Sequence, residues 1–455
     1  MRANEKVIAF PVYPGVTPLD LIGPLTVLQT PGIGGTRYRT VVVGETAEPL
    51  ATDTPLQLQP VATFAEVPNP WAVIVPGGGA STLAAAEDGA LLAYVRSVAS
   101  GAEVVGSTGN GALVLAGADL LRGKRAAIHW AFREPLEKLG VIPATERWLV
   151  DGRLQTAAGG TAGIDLALPL LARLRGRATA HFAQLSTEYD PQPPFGRIEP
   201  DLADDELART LRESGSVPAG EPGRGGEREI AFVLYPGLTV LDAVGPLQVL
   251  TMLQRLMPGY RTVTVWARRE PLPTDAGVPV IPDRTFEEVP HPAMVLVPGG
   301  ALPTIRAMSD PLVRDYVRSA AATAELVTSV CTGSLILGAV GLLEGRDATT
   351  NWFHSGLVED LGARYHQRRW VEDGNLIMSA GVSAGVDMGL HLAARLTDEH
   401  TARRVQRAID YDPQPPWGGI GYSGIPALPR ALRGAISLLG PVVAAKPKRL
   451  ARAGA

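Results

Sequence analysis

The line IAFPVYPGVTPLDLIGPLTVL at residues 8–28 returns as IAFVLYPGLTVLDAVGPLQVL at 230–250, each 21 residues long. A repeat of this length constrains architecture more than any single motif, because each copy must fold into the same unit. The offset of 222 residues does not drift. WAVIVPGGGA from 71 pairs with AMVLVPGGAL from 293, WLVDG from 148 with WVEDG from 370, GGTAGIDLAL from 159 with GVSAGVDMGL from 381, and YDPQPPFG from 189 with YDPQPPWGG from 411. A unit of about 200 residues is far longer than a solenoid repeat and long enough to own a core. The chain therefore reads as two domains in tandem, 1–200 and 228–430, with a linker over 201–227 and an extension over 431–455. Within the linker, DDELARTLRE fits a short amphipathic helix and SVPAGEPGRGG has linker density of Gly and Pro. In the extension AISLLGPVVA fits a short helix, and KPKRLARAGA a frayed basic tail.

Inside each unit, short continuously apolar runs such as EIAFVLY, MVLVPG and ELVTSVC have the pattern of central parallel strands covered on both faces. LDAVGPLQVLTMLQRL, DPLVRDYVRSAAATA and SLILGAVGLLEG carry apolar residues at helical spacing between them. WVEDGNLIMSAG, with its DG turn, reads as a local antiparallel hairpin. Strands alternating with helices predict an α/β sandwich with a mainly parallel sheet, whose ligands sit beyond the carboxyl ends of the strands. YPGLTVLD, VPGGALP and VCTGS converge on that rim.

Composition narrows the partners. Forty-two basic and 46 acidic residues leave a formal charge of −4, which gives no broad field for nucleic acid or an anionic membrane. One cysteine excludes an internal disulfide, no long apolar signal segment precedes the first strand, and a cytoplasmic setting is expected. Seven histidines without metal-ligand spacing predict no metal site.

That cysteine, Cys331, lies in SVCTGS, where a strand gives way to a helix. Unpaired N–H groups and the positive end of a helix favour a thiolate there, while the competing reading is a buried structural cysteine. Gly299 and Gly300 are candidate oxyanion donors, with the amides of Thr332 and Gly333. Asp242, in an apolar segment, is either a proton-exchanging carboxyl or a helix N-cap. Asn351, Trp352 and His354 of TTNWFH are candidates for the pocket wall, with His354 more readily structural than a base. In the first half STGNG places Gly109 at the cysteine position and Asn110 at that of Thr332. Glycine removes the nucleophile and tolerates a strained turn. Asp20, Gly77, Gly78, Gly109 and His129 are then a degenerate site, either scaffold or a pocket for non-covalent ligands.

YPGLTVLDAVGP, VPGG, CTGSLILGAVGLL, the TTNW segment and YDPQPP together resemble the DJ-1/PfpI superfamily, and within it the isonitrile hydratase branch. The resemblance covers about residues 6–196 and 228–418. It implies two flavodoxin-like sandwiches, a strained elbow nucleophile at Cys331, an acidic partner at Asp242 and assistance from Thr332. It also implies dimeric packing, which a tandem chain satisfies between its own halves, as a monomer or a homodimer. The related pattern has TTHW, so Asn351 stands where histidine is expected, while His129 is kept in the first half. The function implied is hydration of a small apolar electrophile of the isonitrile type without a cofactor. The alternatives are the same thiol acting on an aldehyde, an amide or a biosynthetic intermediate, and a non-catalytic redox-sensing or ligand-binding protein.

Overall fold

A computed structural model describes residues 5–31, 35–198, 204–213 and 226–420. The expected C-terminal extension and the rest of the linker lie outside these residues. In the first half a seven-stranded sheet runs, in spatial order, Trp148–Asp151, Leu154–Ala157, Val104–Ser107, Ala72–Val75, Lys6–Pro11, Tyr38–Gly44, Ala62–Thr63. The second half repeats it in reverse listing as Arg284–Thr285, Tyr260–Trp266, Arg228–Val233, Met294–Val297, Leu326–Val330, Leu376–Ser379, Trp370–Asp373. All pairings in the two sheets are parallel except the edge hairpins Trp148–Asp151/Leu154–Ala157 and Trp370–Asp373/Leu376–Ser379. The order, in which the first strand lies between the second and the next long strand, is that of a flavodoxin-like doubly wound sandwich. The chain is two such α/β domains in tandem.

The central strands are apolar throughout because helices cover both faces: Phe10, Val75, Phe232 and Val297 are fully buried. The helix Val240–Leu256 is buried on nearly every side from Val240 to Leu253. One side packs on the helix Val382–Leu396 of its own half, the other on Pro18–Leu28 of the first half. Such all-round burial requires an all-round apolar sequence. The helix expected over SLILGAVGLLEG is shorter, Gly333–Ala339, because Gly341 and Gly345 adopt positive φ and turn the chain. DDELARTLRE contributes the helix Asp205–Glu213, with Leu207, Ala208 and Leu211 on its buried face. Among the described residues no helix is long and apolar enough to cross a membrane.

The halves pair around a pseudo-two-fold relation. Asp387 binds Arg369 of its own half at 2.6 Å, accepts the Tyr411 hydroxyl at 2.7 Å, and accepts the Gln192 amide of the first half at 3.0 Å. At the corresponding positions Asp165 binds Arg147 at 3.3 Å, accepts from Tyr189 at 2.8 Å, and accepts the Gln414 amide of the second half at 3.1 Å. The two YDPQPP segments thus cross into the opposite half, each ending on the buried aspartate there. Val280–Ile281 also pairs antiparallel with Gln57–Leu58, so a small three-stranded sheet spans the halves.

Candidate functional site

Cys331 follows the last residue of the strand Leu326–Val330 and turns the chain with φ 57°. For a residue with a Cβ this left-handed conformation costs about 1–2 kcal/mol, so its surroundings must impose it. They do: the Cys331 amide donates to Ser379 O at 3.0 Å, and its carbonyl accepts the Thr350 hydroxyl at 3.0 Å. Gly109 holds φ 58° at the equivalent turn, where glycine carries no such cost.

The thiol is 9% exposed and Asp242 is fully buried. Asp242 interacts with the thiol and accepts the Gly299 amide on Oδ2 at 3.1 Å, while Oδ1 has no well-aligned donor. Burial, then the charge of Asp275, holds the Asp242 carboxyl well above the usual carboxylate range. Burial, then the charges of Asp242 and Glu188, also pushes the thiol up, against a contact from the Thr332 amide. The elbow was expected to favour the thiolate; burial works against the helix terminus and favours the neutral thiol.

Two expected donors are already engaged. The Gly299 amide serves Asp242, and the Gly300 amide donates to Thr332 Oγ1 at 3.1 Å, so neither is free as an oxyanion donor. Thr332 Oγ1 also accepts the Ala301 amide at 3.2 Å and lies 2.8 Å from Thr304 Oγ1. Its hydroxyl therefore ties the VPGG loop to the elbow, and its backbone N–H is the part that reaches the sulfur. Gly333 is required by close packing, since a Cβ there would lie 2.0 Å from Val297 O. Asn110 performs the loop-tying task in the first half, accepting the Gly78 amide at 3.0 Å and the Thr82 hydroxyl at 2.9 Å.

Asn351 is turned toward the other domain. Its Nδ2 donates to Glu188 Oε1 at 3.1 Å, and the Trp352 amide donates to the same oxygen at 3.0 Å. Trp352, half-buried, lines an open cavity together with Glu188, Tyr365, Arg368, Arg369 and Ala380. Burial pushes His354 down to about 4, which keeps its ring neutral at neutral pH. Sequence reasoning missed Glu188, Asp275 and Thr350. The acidic residue before each YDPQPP, Glu188 and Asp410, and the TD pair at 52–53 and 274–275, were the available signals.

The DJ-1/PfpI family profile matches residues 6–173 and 228–395. The chain belongs to the DJ-1/PfpI family. Isonitrile hydratase of Pseudomonas putida is 42% identical over 189 residues, 42% of this chain and 81% of that protein. The HTH-type transcriptional regulator CdhR of Pseudomonas aeruginosa is 39% identical over 115 residues, 24% of this chain and 32% of the regulator. A solved THiJ/PfpI family protein from Pseudomonas syringae is 36% identical, covering 50% of this chain and 91% of its own, with a TM-score of 0.42.

The first DJ-1/PfpI domain keeps a pocket without a nucleophile. Asp20, Gly109 and His129 line it with Asp53, and the second half adds Gln248 and Arg255. A Cβ on Gly109 would lie 1.8 Å from Asp20 Oδ2, so the carboxyl fills the space a cysteine side chain would need. Gly77 and Gly78 shape the loop instead: their amides serve Asp20 and Asn110. Gly109→Cys is accordingly expected to leave the first half unreactive toward thiol reagents while Asp20 is present. Titration in the Cys331→Ala background reads this directly.

Burial, the charge of Asp53 and that of Asp410 raise Asp20 from 3.8 to about 8, against the Gly77 amide. Between those values the folded chain holds a proton that the unfolded chain has released. The stability tied to this group is full at acid pH and is lost as pH climbs toward about 8. Asp20→Asn is expected to raise the melting temperature at alkaline pH and to leave it near wild type at acid pH; thermal scans at both ends check this.

Proposed function

We propose that this protein is a cysteine-dependent hydratase converting an isonitrile to an N-substituted formamide. The observation that carries the reading is the buried thiol–carboxyl pair, Cys331 with Asp242, held at a strained elbow. The likeness to isonitrile hydratase of Pseudomonas putida supports the choice of electrophile. An apolar isonitrile pays little to enter so dry a site, and its terminal carbon accepts a nucleophile and then a proton.

Asp242 takes the thiol proton as sulfur bonds to the isonitrile carbon, and returns that proton to the same carbon, giving a thioimidate. The carboxylate then removes a proton from water as its oxygen adds to the thioimidate carbon, and passes that proton to the nitrogen. Breaking the carbon–sulfur bond releases the formamide as the new hydroxyl gives up its proton, which Asp242 passes to the departing thiolate. The net reaction adds one water and requires no cofactor. A carboxyl raised above its ordinary range is a stronger base toward the thiol and toward water.

The redox-sensing alternative fits less well, because sensor thiols are exposed and low in pKa, whereas burial here works the other way. Intact-mass measurement with a panel of isonitriles, aldehydes and amides tests the reading. A thioimidate adduct on Cys331 with formamide released over many turnovers supports it. Consumption of only the carbonyl compounds, or peroxide modification without turnover, overturns it.

A further inference from the structure

Glu188 belongs to the first half, yet its carboxyl is held by Asn351 and Trp352 of the second, next to Thr350, whose hydroxyl donates to the Cys331 carbonyl. The side chain is 1% exposed and its backbone holds φ 45°, strained for a residue with a Cβ. Oε1 is fixed by Asn351 Nδ2 and the Trp352 amide. The Glu188 carbonyl accepts the Ser383 hydroxyl at 2.6 Å. Oε2 lies against Gly381, where a Cβ would stand 2.1 Å away. The only room for this carboxyl is therefore the space a glycine leaves.

We propose that Glu188 is a positioning residue that sets the reactivity of the Cys331 thiol across the domain interface, making the first half a working part of the second half's site. The proposal deepens the hydratase reading by naming what governs its nucleophile, but its readout needs no isonitrile. It also accounts for Asn351. An amide there donates to Glu188 Oε1, whereas His129 at the matching place spends Nε2 on Ala408 O at 3.1 Å. The counterpart of Glu188 is Asp410, shorter by one methylene, whose Cβ lies 3.1 Å from a Cβ placed on Gly159.

The charge of Glu188 acts on both members of the pair, opposing ionisation of Cys331 and of Asp242. Other groups acting at this centre are Asp275 behind Asp242, Tyr235 beside the pair, and Tyr365 and Arg369 around Glu188. Burial raises Glu188 to about 7, with the Trp352 amide and Arg369 pulling down, so its charge appears within the physiological range. Below that pH the thiol faces a neutral carboxyl; above it, a negative one. The same carboxyl lines the open cavity beside Trp352.

The test is the rate of alkylation of the full chain by iodoacetamide from about pH 5 to 9, followed by intact mass. Cys331 is the only cysteine, so the signal is unambiguous. Wild type is expected to show a rate that climbs less steeply above about pH 7. Glu188→Gln keeps the shape and removes the charge; it is expected to alkylate about three- to tenfold faster at pH 8 and to lose the bend. Glu188→Asp is expected to keep the bend. Gly381→Ala, which evicts the carboxyl from the other half, is expected to lose it as Glu188→Gln does. A wild-type profile in both Glu188→Gln and Gly381→Ala, with melting temperatures unchanged, overturns the proposal. If the thiol profiles shift as expected while no isonitrile is consumed, the substrate reading fails and this one stands. If isonitrile turns over and the profiles do not shift, this one fails alone.

Discussion

Cys331→Ala is expected to lower isonitrile turnover by at least about a thousandfold and to abolish the covalent adduct, because no other thiol exists in the chain. Asp242→Asn is expected to fall about a hundred- to ten-thousandfold, the range for a positioned acid–base group. The two losses should not add: an amide at position 242 can neither accept the thiol proton nor return it, so the double variant should resemble Cys331→Ala. Initial rates of formamide release, paired with intact mass, distinguish these outcomes. An Asp242→Asn enzyme that still forms thioimidate at the wild-type rate would assign the carboxyl to the hydrolytic half alone. The cost to folding should be small for alanine, because it relieves no hydrogen bond of the elbow backbone, which is anchored by Ser379 and Thr350.

The second large effect lies at the seam between the halves. Asp387→Ala is expected to cost about 3–5 kcal/mol, since it removes the buried counter-charge of Arg369 and the acceptor of the Tyr411 hydroxyl and the Gln192 amide. Asp165→Ala should act in the same direction, removing the carboxyl from Arg147, Tyr189 and the Gln414 amide, although Tyr189 keeps Thr161 O and Arg147 keeps Asp410 O. Urea unfolding read by fluorescence measures both, and equal losses from the two halves would reflect the pseudo-two-fold seam. The matching prediction for a separated second half is self-association, because the apolar helix Val240–Leu256 loses its cover. A separated half that stays monomeric with unchanged stability would defeat the pairing.

Much of this architecture is legible in the chain. The alternation of apolar runs with helical patterns predicts the doubly wound sheets, and the hairpin read in WVEDGNLIMSAG appears as the antiparallel edge Trp370–Ser379, which the first half repeats at Trp148–Ala157. Cys331 and Asp242 were singled out from neighbours in sequence, and the fold brings them together. The assignment of Gly299 and Gly300 as oxyanion donors went astray for a definite reason. A glycine-rich loop announces free amides, but whether they meet a ligand or the protein's own Asp242 and Thr332 depends on which side chains fold back onto the loop. The pull of burial on the thiol was out of reach for a similar reason. A helix terminus can be read locally, whereas burial sums the whole environment.

What the sequence determines by itself is the duplication, its 222-residue register, and the arming of one copy with a single cysteine. Each rests on local identity, which survives without knowledge of contacts. Only the tertiary structure decides that the YDPQPP segments exchange partners between halves, that Asp20 fills the place of a missing thiol, and that Glu188 reaches the site of Cys331. These are contacts between residues up to 249 positions apart, on a pseudo-symmetric seam. No periodicity encodes them, because the register of one apolar face against another is set by packing and by the cost of burying charge without a partner.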